Sequence, residues 1–243
     1  NELEYAAVKT KYNAKGNWDA VSIRGYSDDI SNILKPGVLK SDVKAEPLRW
    51  TYLYEESALL PIKEILSHIP AEFERVRVMR LKAGTKIRKH TDKVDKDIKT
   101  GKIVRLHVPV ITHEEVQMTS WLPGGIAEFH MKKGSCWWLD VSLPHKVVNK
   151  SDIDRVHLVI DIYNNDDIKE GWMTLKILEA SEVNGVRFPE GVKIDVHADD
   201  AKKLLEAKKA ELISMKIEEA TDNNTEANQS TDESLEKMKV TEN

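Results

Sequence analysis

The chain has 243 residues, 40% hydrophobic and 32% charged, which suffices for a packed core and excludes disorder throughout. Lys+Arg 37 against Asp+Glu 41 leaves a net charge of -4, with no overall attraction to nucleic acid or anionic lipid. The lone Cys136 excludes an internal disulfide, no apolar run approaches the roughly 20 residues that span a bilayer, and residues 1–10 lack the order of a signal peptide, so a cytoplasmic protein is expected.

Residues 1–72 read as a mixed N-terminal segment: 18–24 alternates weakly, and Pro36-Gly37 marks a turn. Leu59, Leu60, Ile62, Ile65 and Leu66 then recur at helical spacing until Pro70 stops the pattern. Across 73–165 the period becomes two, in runs at 75–81, 102–111, 128–131, 135–141, 145–148 and 155–162, divided by turn residues. Short strands at that spacing predict a mainly β fold, a double-stranded β-helix of the jelly-roll or cupin-like kind, with flanking helices. Residues 166–218 form a C-terminal extension, where Asp199-Asp200 followed by Ala201, Leu204, Leu205 and Leu212 predicts an acid-capped helix. From 219 to 243 almost no large apolar residue remains, the composition of a disordered tail.

Within the β region, His90 and Asp92 stand two apart on an extended segment and point to the same side, while His145 opens another strand that can lie beside the first. Two imidazoles and one carboxylate make the facial triad of non-haem Fe(II), though the spacing alone also arises by chance. Arg155 lies in the apolar strand containing Val156, Leu158, Ile160 and Ile162, on the face opposite to them, and needs an anion there. Arg105 and His107 share one face of 104–110, with Leu106 and Val108 on the other. An internal acid or a bound carboxylate must meet that arginine; Asp95 and Asp97, in a lysine-rich stretch, read as a solvent loop, which favours the ligand. His157 shares the face of Arg155 and can bond the same anion. Asp140 and Asn149 flank the His145 strand as candidate partners that orient it, Trp137 and Trp138 take opposite faces, and Cys136 reads as a small buried hydrophobe.

Taken in order, Met79-Arg80-Leu81-Lys82-Ala83-Gly84-Thr85, His90-Thr91-Asp92, Arg105-Leu106-His107-Val108-Pro109, Lys133-Gly134-Ser135-Cys136-Trp137-Trp138-Leu139-Asp140, Pro144-His145, Asn149 and Asp154-Arg155-Val156-His157-Leu158-Val159-Ile160-Asp161 resemble the aspartyl/asparaginyl β-hydroxylase family, whose relatives include bacterial proline hydroxylases. The resemblance covers about 73–165, with a fainter echo at 18–24. It implies a dioxygenase using Fe(II), O₂ and the cosubstrate 2-oxoglutarate. His90, Asp92 and His145 match the iron ligands, Arg155 matches the arginine that binds the distal carboxylate of 2-oxoglutarate, and Arg105 and His107 match a basic pair near the other end of the cosubstrate or the substrate. Asp92 departs from the animal peptidyl hydroxylases, which carry glycine there, and agrees with the bacterial amino-acid hydroxylases. It also speaks against halogenation. The expected partner is therefore a small carboxylate-bearing molecule, a free or modified amino acid. Peptidyl Asp/Asn hydroxylation and a non-catalytic metal- or carboxylate-binding module stay open as alternatives.

Overall fold

The computed structural model describes residues 6–7, 15–37, 46–164, 172–183 and 186–215. The tail expected at 219–243 lies outside them. Among the described residues no helix is long and apolar enough to cross a membrane.

The fold is mainly β, a double-stranded β-helix made of two facing antiparallel sheets. The larger sheet runs in the order β1 (Ala6–Ala7), β2 (Trp18–Gly25), β4 (Phe73–Leu81), β11 (Arg155–Tyr163), β6 (Ile103–Ile111) and β9 (Trp137–Leu139), with β3 (Arg49–Trp50) beside β2. The smaller runs β5 (Lys86–His90), β10 (His145–Asn149), β7 (Val116–Leu122) and β8 (Gly125–Phe129). A three-stranded sheet, β15 (Lys193–His197), β12 (Trp172–Ile177) and β16 (Ala210–Met215), and the hairpin β13 (Ser181–Val183) and β14 (Val186–Phe188) complete the chain, with helices α1 (Leu60–Ser67), α2 (Lys96–Lys99) and α3 (Ala198–Glu206).

β11 lies between β4 and β6, and its alternation sorts the interior. Leu158, Ile160 and Ile162, all fully buried, pack on the outer side with Val21, Ile23, Val76 and Val78 and with Leu59 and Leu66 at α1. Arg155, His157, Val159 and Asp161 have the opposite parity and face the smaller sheet. There Leu81, Met118, Phe129, Leu139 and Val147 form a second core between the sheets.

The helix at 60–67 falls where the periodicity puts it, with Pro61 in its first turn, where the missing N–H costs nothing. Several strands differ from expectation. Trp18–Gly25 is an interior strand of the large sheet rather than part of a mixed segment, because Ala20, Val21, Ser22 and Ile23 are all buried and little alternation survives. Val116–Leu122 is a strand that the run pattern omitted, since Thr119 and Ser120 interrupt its apolar residues. Leu212 belongs to β16 and not to the helix, which ends at Glu206.

The C-terminal sheet docks on the turn before β8. Gly124 has φ +91, and a Cβ there would meet the Gly191 carbonyl oxygen at 2.3 Å, so only glycine allows this approach. Lys193 N–H donates to Pro123 O at 3.1 Å across the same contact.

Truncating the centre of β11 tests the assigned core. Leu158→Ala, at a fully buried position, should lower unfolding free energy by about 2–5 kcal/mol in urea titrations. Leu60→Ala, at 60% exposure, should stay within about 0.5 kcal/mol.

Candidate active site

His90 ends β5 and His145 begins β10; the two are direct register partners, their ring centroids 4.2 Å apart. Asp92 follows just past the strand end, fixed by its N–H donating to Val141 O at 2.9 Å. One ligand atom from each of His90, Asp92 and His145 lies within 4.8 Å of the others.

The two imidazoles are oriented alike. Nδ1 of His90 lies 2.8 Å from Arg88 O and Nδ1 of His145 lies 2.9 Å from Leu143 O. A carbonyl can only accept, so each Nδ1 carries the proton and Nε2 is the ring atom left to serve as a metal ligand. Burial, then the neighbouring His90, pushes the His145 pKa below its ordinary value, favouring the neutral form. Asp140 and Asn149 do not orient His145. The exposed Asp140 accepts from Ser142 N, while buried Asn149 donates to Leu81 O, Lys82 O and Ile153 O and ties β10 to the end of β4.

Asp92 also bonds Arg105, which continues into the interior. Arg105 Nη1 donates to Asp92, while its Nε and Nη2 donate to the two oxygens of Asp161 at 2.6 and 3.1 Å. Burial disfavours the charged carboxylate of Asp92, but the Arg105 guanidinium outweighs it and holds the acid below its usual range. This corrects the expectation that Arg105 receives a bound carboxylate: acids of the chain itself already meet it. Asp161, fully buried and the cross-strand partner of Arg105, also accepts from Arg75 at 2.8 Å and Arg77 at 2.6 Å. Asp95 is likewise no solvent-loop residue; it is buried, caps α2 and pairs with Arg75 at 3.0 Å. Cys136, expected to be buried, is exposed.

Arg155 contrasts with Arg105. It is buried at 6% exposure, and its guanidinium bonds only Nδ1 of His157, at 2.7 Å, with no carboxylate beside it among the described residues. Burial pulls its pKa down to about 9, which leaves it charged at neutral pH. Because Arg155 donates to Nδ1 of His157, that nitrogen has no proton and Nε2 carries it. Arg155 Nε, His157 Nε2 and Thr112 Oγ1 are all buried without a partner. All three residues line one small cavity, closed by Val116, Met118, Met131 and Val147. Met118 and Val147 stand two residues along β7 and β10 from Ser120 and His145, so the cavity begins next to the metal-capable cluster. His107 is placed beside this group: its Nδ1 lies 3.4 Å from Nδ1 of His157, and it does not line the cavity. Burial and the Arg155 charge push the pKa values of both His107 and His157 well below the ordinary value, so both are neutral.

The chain matches the aspartyl/asparaginyl beta-hydroxylase family over residues 4–165, and it belongs to that family. Among solved structures it is similar to an oxidoreductase of the 2OG-Fe(II) oxygenase family from Burkholderia pseudomallei, at 12% identity over 60% of this chain and 68% of that one, TM-score 0.39. It is also similar to a cupin domain from Bordetella pertussis (21% identity, 40% of this chain and 88% of that one, TM-score 0.28). A predicted oxalate decarboxylase from Thermotoga maritima matches at 14% identity over 42% of this chain and 74% of that one, TM-score 0.27.

Two measurements check the electrostatics. Asp161→Asn strips three buried guanidinium groups of their shared anion and should cost about 3–5 kcal/mol of stability. For His107 and His157 the folded pKa lies below the unfolded one, so the unfolded chain binds protons first as pH falls below about 6.5. Stability should then drop with falling pH by up to about 1.4 kcal/mol per unit per histidine until the folded values are reached. A His107→Gln/His157→Gln variant should flatten that fall in urea titrations between about pH 6.5 and 5; an unchanged slope would show that these imidazoles are not its source.

Proposed function

We propose that the chain is an Fe(II)- and 2-oxoglutarate-dependent dioxygenase that hydroxylates a carboxylate-bearing substrate of the amino-acid class. The observation that carries the reading is the pairing of two unlike gaps in one barrel. At one end two imidazoles, each with Nδ1 turned to a backbone carbonyl, and the carboxylate of Asp92 bring one ligand atom each within 4.8 Å of the others. At the other a buried arginine lacks an anion, and two further unpartnered polar groups line its cavity.

The donor set fits the implied groups. His90, Asp92 and His145 supply the nitrogen and oxygen ligands of a facial triad and leave the remaining positions to other ligands. Arg155, with His157 Nε2–H and the Thr112 hydroxyl, suits the distal carboxylate of 2-oxoglutarate, since a forked guanidinium pairs with two carboxylate oxygens at once. When bound, iron and the keto acid would together activate O₂, the oxidant: one of its oxygen atoms would enter succinate as the keto acid loses CO₂, and the other would be inserted into an unactivated C–H bond as the hydroxyl.

The protein's own share is positioning and exclusion of water. Leu143 O and Arg88 O hold the imidazole planes. Arg105 keeps Asp92 ionised and aimed, and acts as a positioning residue anchored on Asp161. Met118, Met131, Val116 and Val147 present no competing polar group to the carboxylate at Arg155. His107, neutral and set against His157, supports that end of the pocket.

Succinate release on adding Fe(II), 2-oxoglutarate and ascorbate separates this reading from a binding module without turnover. Arg155→Lys keeps charge but loses the forked geometry, and should raise the 2-oxoglutarate KM by about tenfold or more, the worth of one charge-assisted bond. Binding of Mn(II) to the same variant, measured by calorimetry, should not change. An unaltered KM would remove Arg155 from the cosubstrate site.

A further inference from the structure

The smaller sheet turns a basic face away from the barrel interior. His145 and Val147 of β10 are buried inside, so Lys146 and Val148 between and after them point outward. Lys86, the register partner of Val148, shares that outer face, and an irregularity in the β5–β10 pairing between His145 and Val147 brings Lys89 onto it as well. Trp121 of β7 joins them: Lys89 Nζ lies 3.7 Å and Lys146 Nζ 5.7 Å from the centroid of its ring. Two ammonium groups thus share one indole, whose face attracts each but leaves their mutual repulsion without a counterion. Among the described residues Lys86, Lys89 and Lys146 pair with no carboxylate. Glu128 of β8 has the parity of this face, but its Oε1 accepts from Thr119 at 3.0 Å. Trp121, Ile126 and Val148 belong to none of the hydrophobic cores, and Ile126 is 49% exposed, so nothing among the described residues covers the face.

The counterions stand at one end of the chain. Residues 216–243 hold eight acids and three lysines, a net of -5, which leaves +1 on residues 1–215 out of the total of -4. They start beside the face. Met215, the end of β16, pairs with Met173 of β12; β12 pairs with β15, whose Lys193 donates to Pro123 O, two residues from Trp121. By strand rise and spacing the path from Met215 to Trp121 is on the order of 25 Å, which about eight extended residues span. Most of the acidic stretch is left to lie on the lysines.

We infer that the outer face of the smaller sheet is the docking surface of this chain's own acidic segment, residues 216–243. Its carboxylates neutralise Lys86, Lys89 and Lys146. Ion pairs of this exposed kind are individually weak, but tethering raises the effective concentration of the segment to about millimolar, so several weak pairs suffice. Lys89 and Lys146 adjoin His90 and His145, so the docked segment lies across the reverse side of the two strands that end in candidate ligands. The inference does not depend on the dioxygenase reading.

The test uses the full chain with Cys136→Ser and Ser234→Cys, a nitroxide on the new thiol, and the indole N–H signals in NMR spectra. The label should weaken the Trp121 signal at least about twofold against the same sample with the nitroxide reduced, as tethered docking at that concentration requires. The Trp50 signal, from the core on the far side of the larger sheet, should not change. At about 1 M salt, where the Debye length falls to about 3 Å, the Trp121 signal should recover. It should also recover in Lys86→Glu/Lys89→Glu/Lys146→Glu and stay weakened in the matching triple Arg variant, with the unmoved Trp50 signal reporting that both remain folded. An unweakened Trp121 signal, equal weakening of Trp50, or persistence in the Glu variant would each overturn the inference. A mixture of isotope-labelled chains lacking the nitroxide with unlabelled chains carrying it should show no weakening; weakening there would give the face to the segment of a second copy.

Discussion

The carboxylate of Asp161 organises the interior. It is fully buried on the central strand of the large sheet and accepts from Arg75, Arg77 and Arg105. A carboxylate taken out of water is unfavourable alone, and so is each guanidinium; three arginines on one acid hold it ionised far below its usual range despite burial. One acid cannot balance three cations, and the remainder is met by Asp95 on Arg75 and Asp92 on Arg105. Asp92 is therefore drawn to the barrel mouth by the same charge balance that closes the core. In the dioxygenase reading, the carboxylate ligand is ionised and aimed before any metal arrives.

Arg155 stands on the same strand and the same face, yet nothing comparable surrounds it. The difference between a guanidinium with two acids and one with only a neutral imidazole is what a bound anion would remove. The neutrality of His107 and His157 belongs to this picture, because a second positive charge beside Arg155 would have no counterion at all. Depressed imidazole pKa values and a lowered arginine pKa are thus two results of one arrangement, a buried cation with no carboxylate beside it among the described residues.

Residues whose placement depends on local spacing were legible in the sequence. His90 and Asp92 two apart, His145 at a strand start and Arg155 against an apolar alternation all follow from strand periodicity, and the structure brings the first three together. What escaped depended on register between distant strands. Asp161 has the parity of Arg155 and His157, a usable signal, but nothing local shows that it stands opposite Arg105, 56 residues away. Asp95 looked solvated because its neighbours are lysines, whereas its cap on α2 turns it inward to Arg75. Trp18–Gly25 concealed its strand because burial on both faces erases alternation. The orientation of His145 went to the Leu143 carbonyl, which every residue type carries and no sequence motif reports.

The division of labour along the chain bears on how such a barrel acquires a partner. The groups suited to metal and cosubstrate stand at strand positions fixed by pairing between β4, β5, β6, β10 and β11, where a shift of one residue would turn each to the wrong face. The C-terminal sheet is under no such constraint. It has its own core of Leu175, Ile177, Ile194 and Val196 and meets the barrel through the close approach of Gly124 and Gly191. A Cβ at position 124 would lie 2.3 Å from the Gly191 carbonyl oxygen, so any larger residue there must shift the contact that seats this sheet, while the strand pairing that fixes Asp161 and Arg105 is untouched.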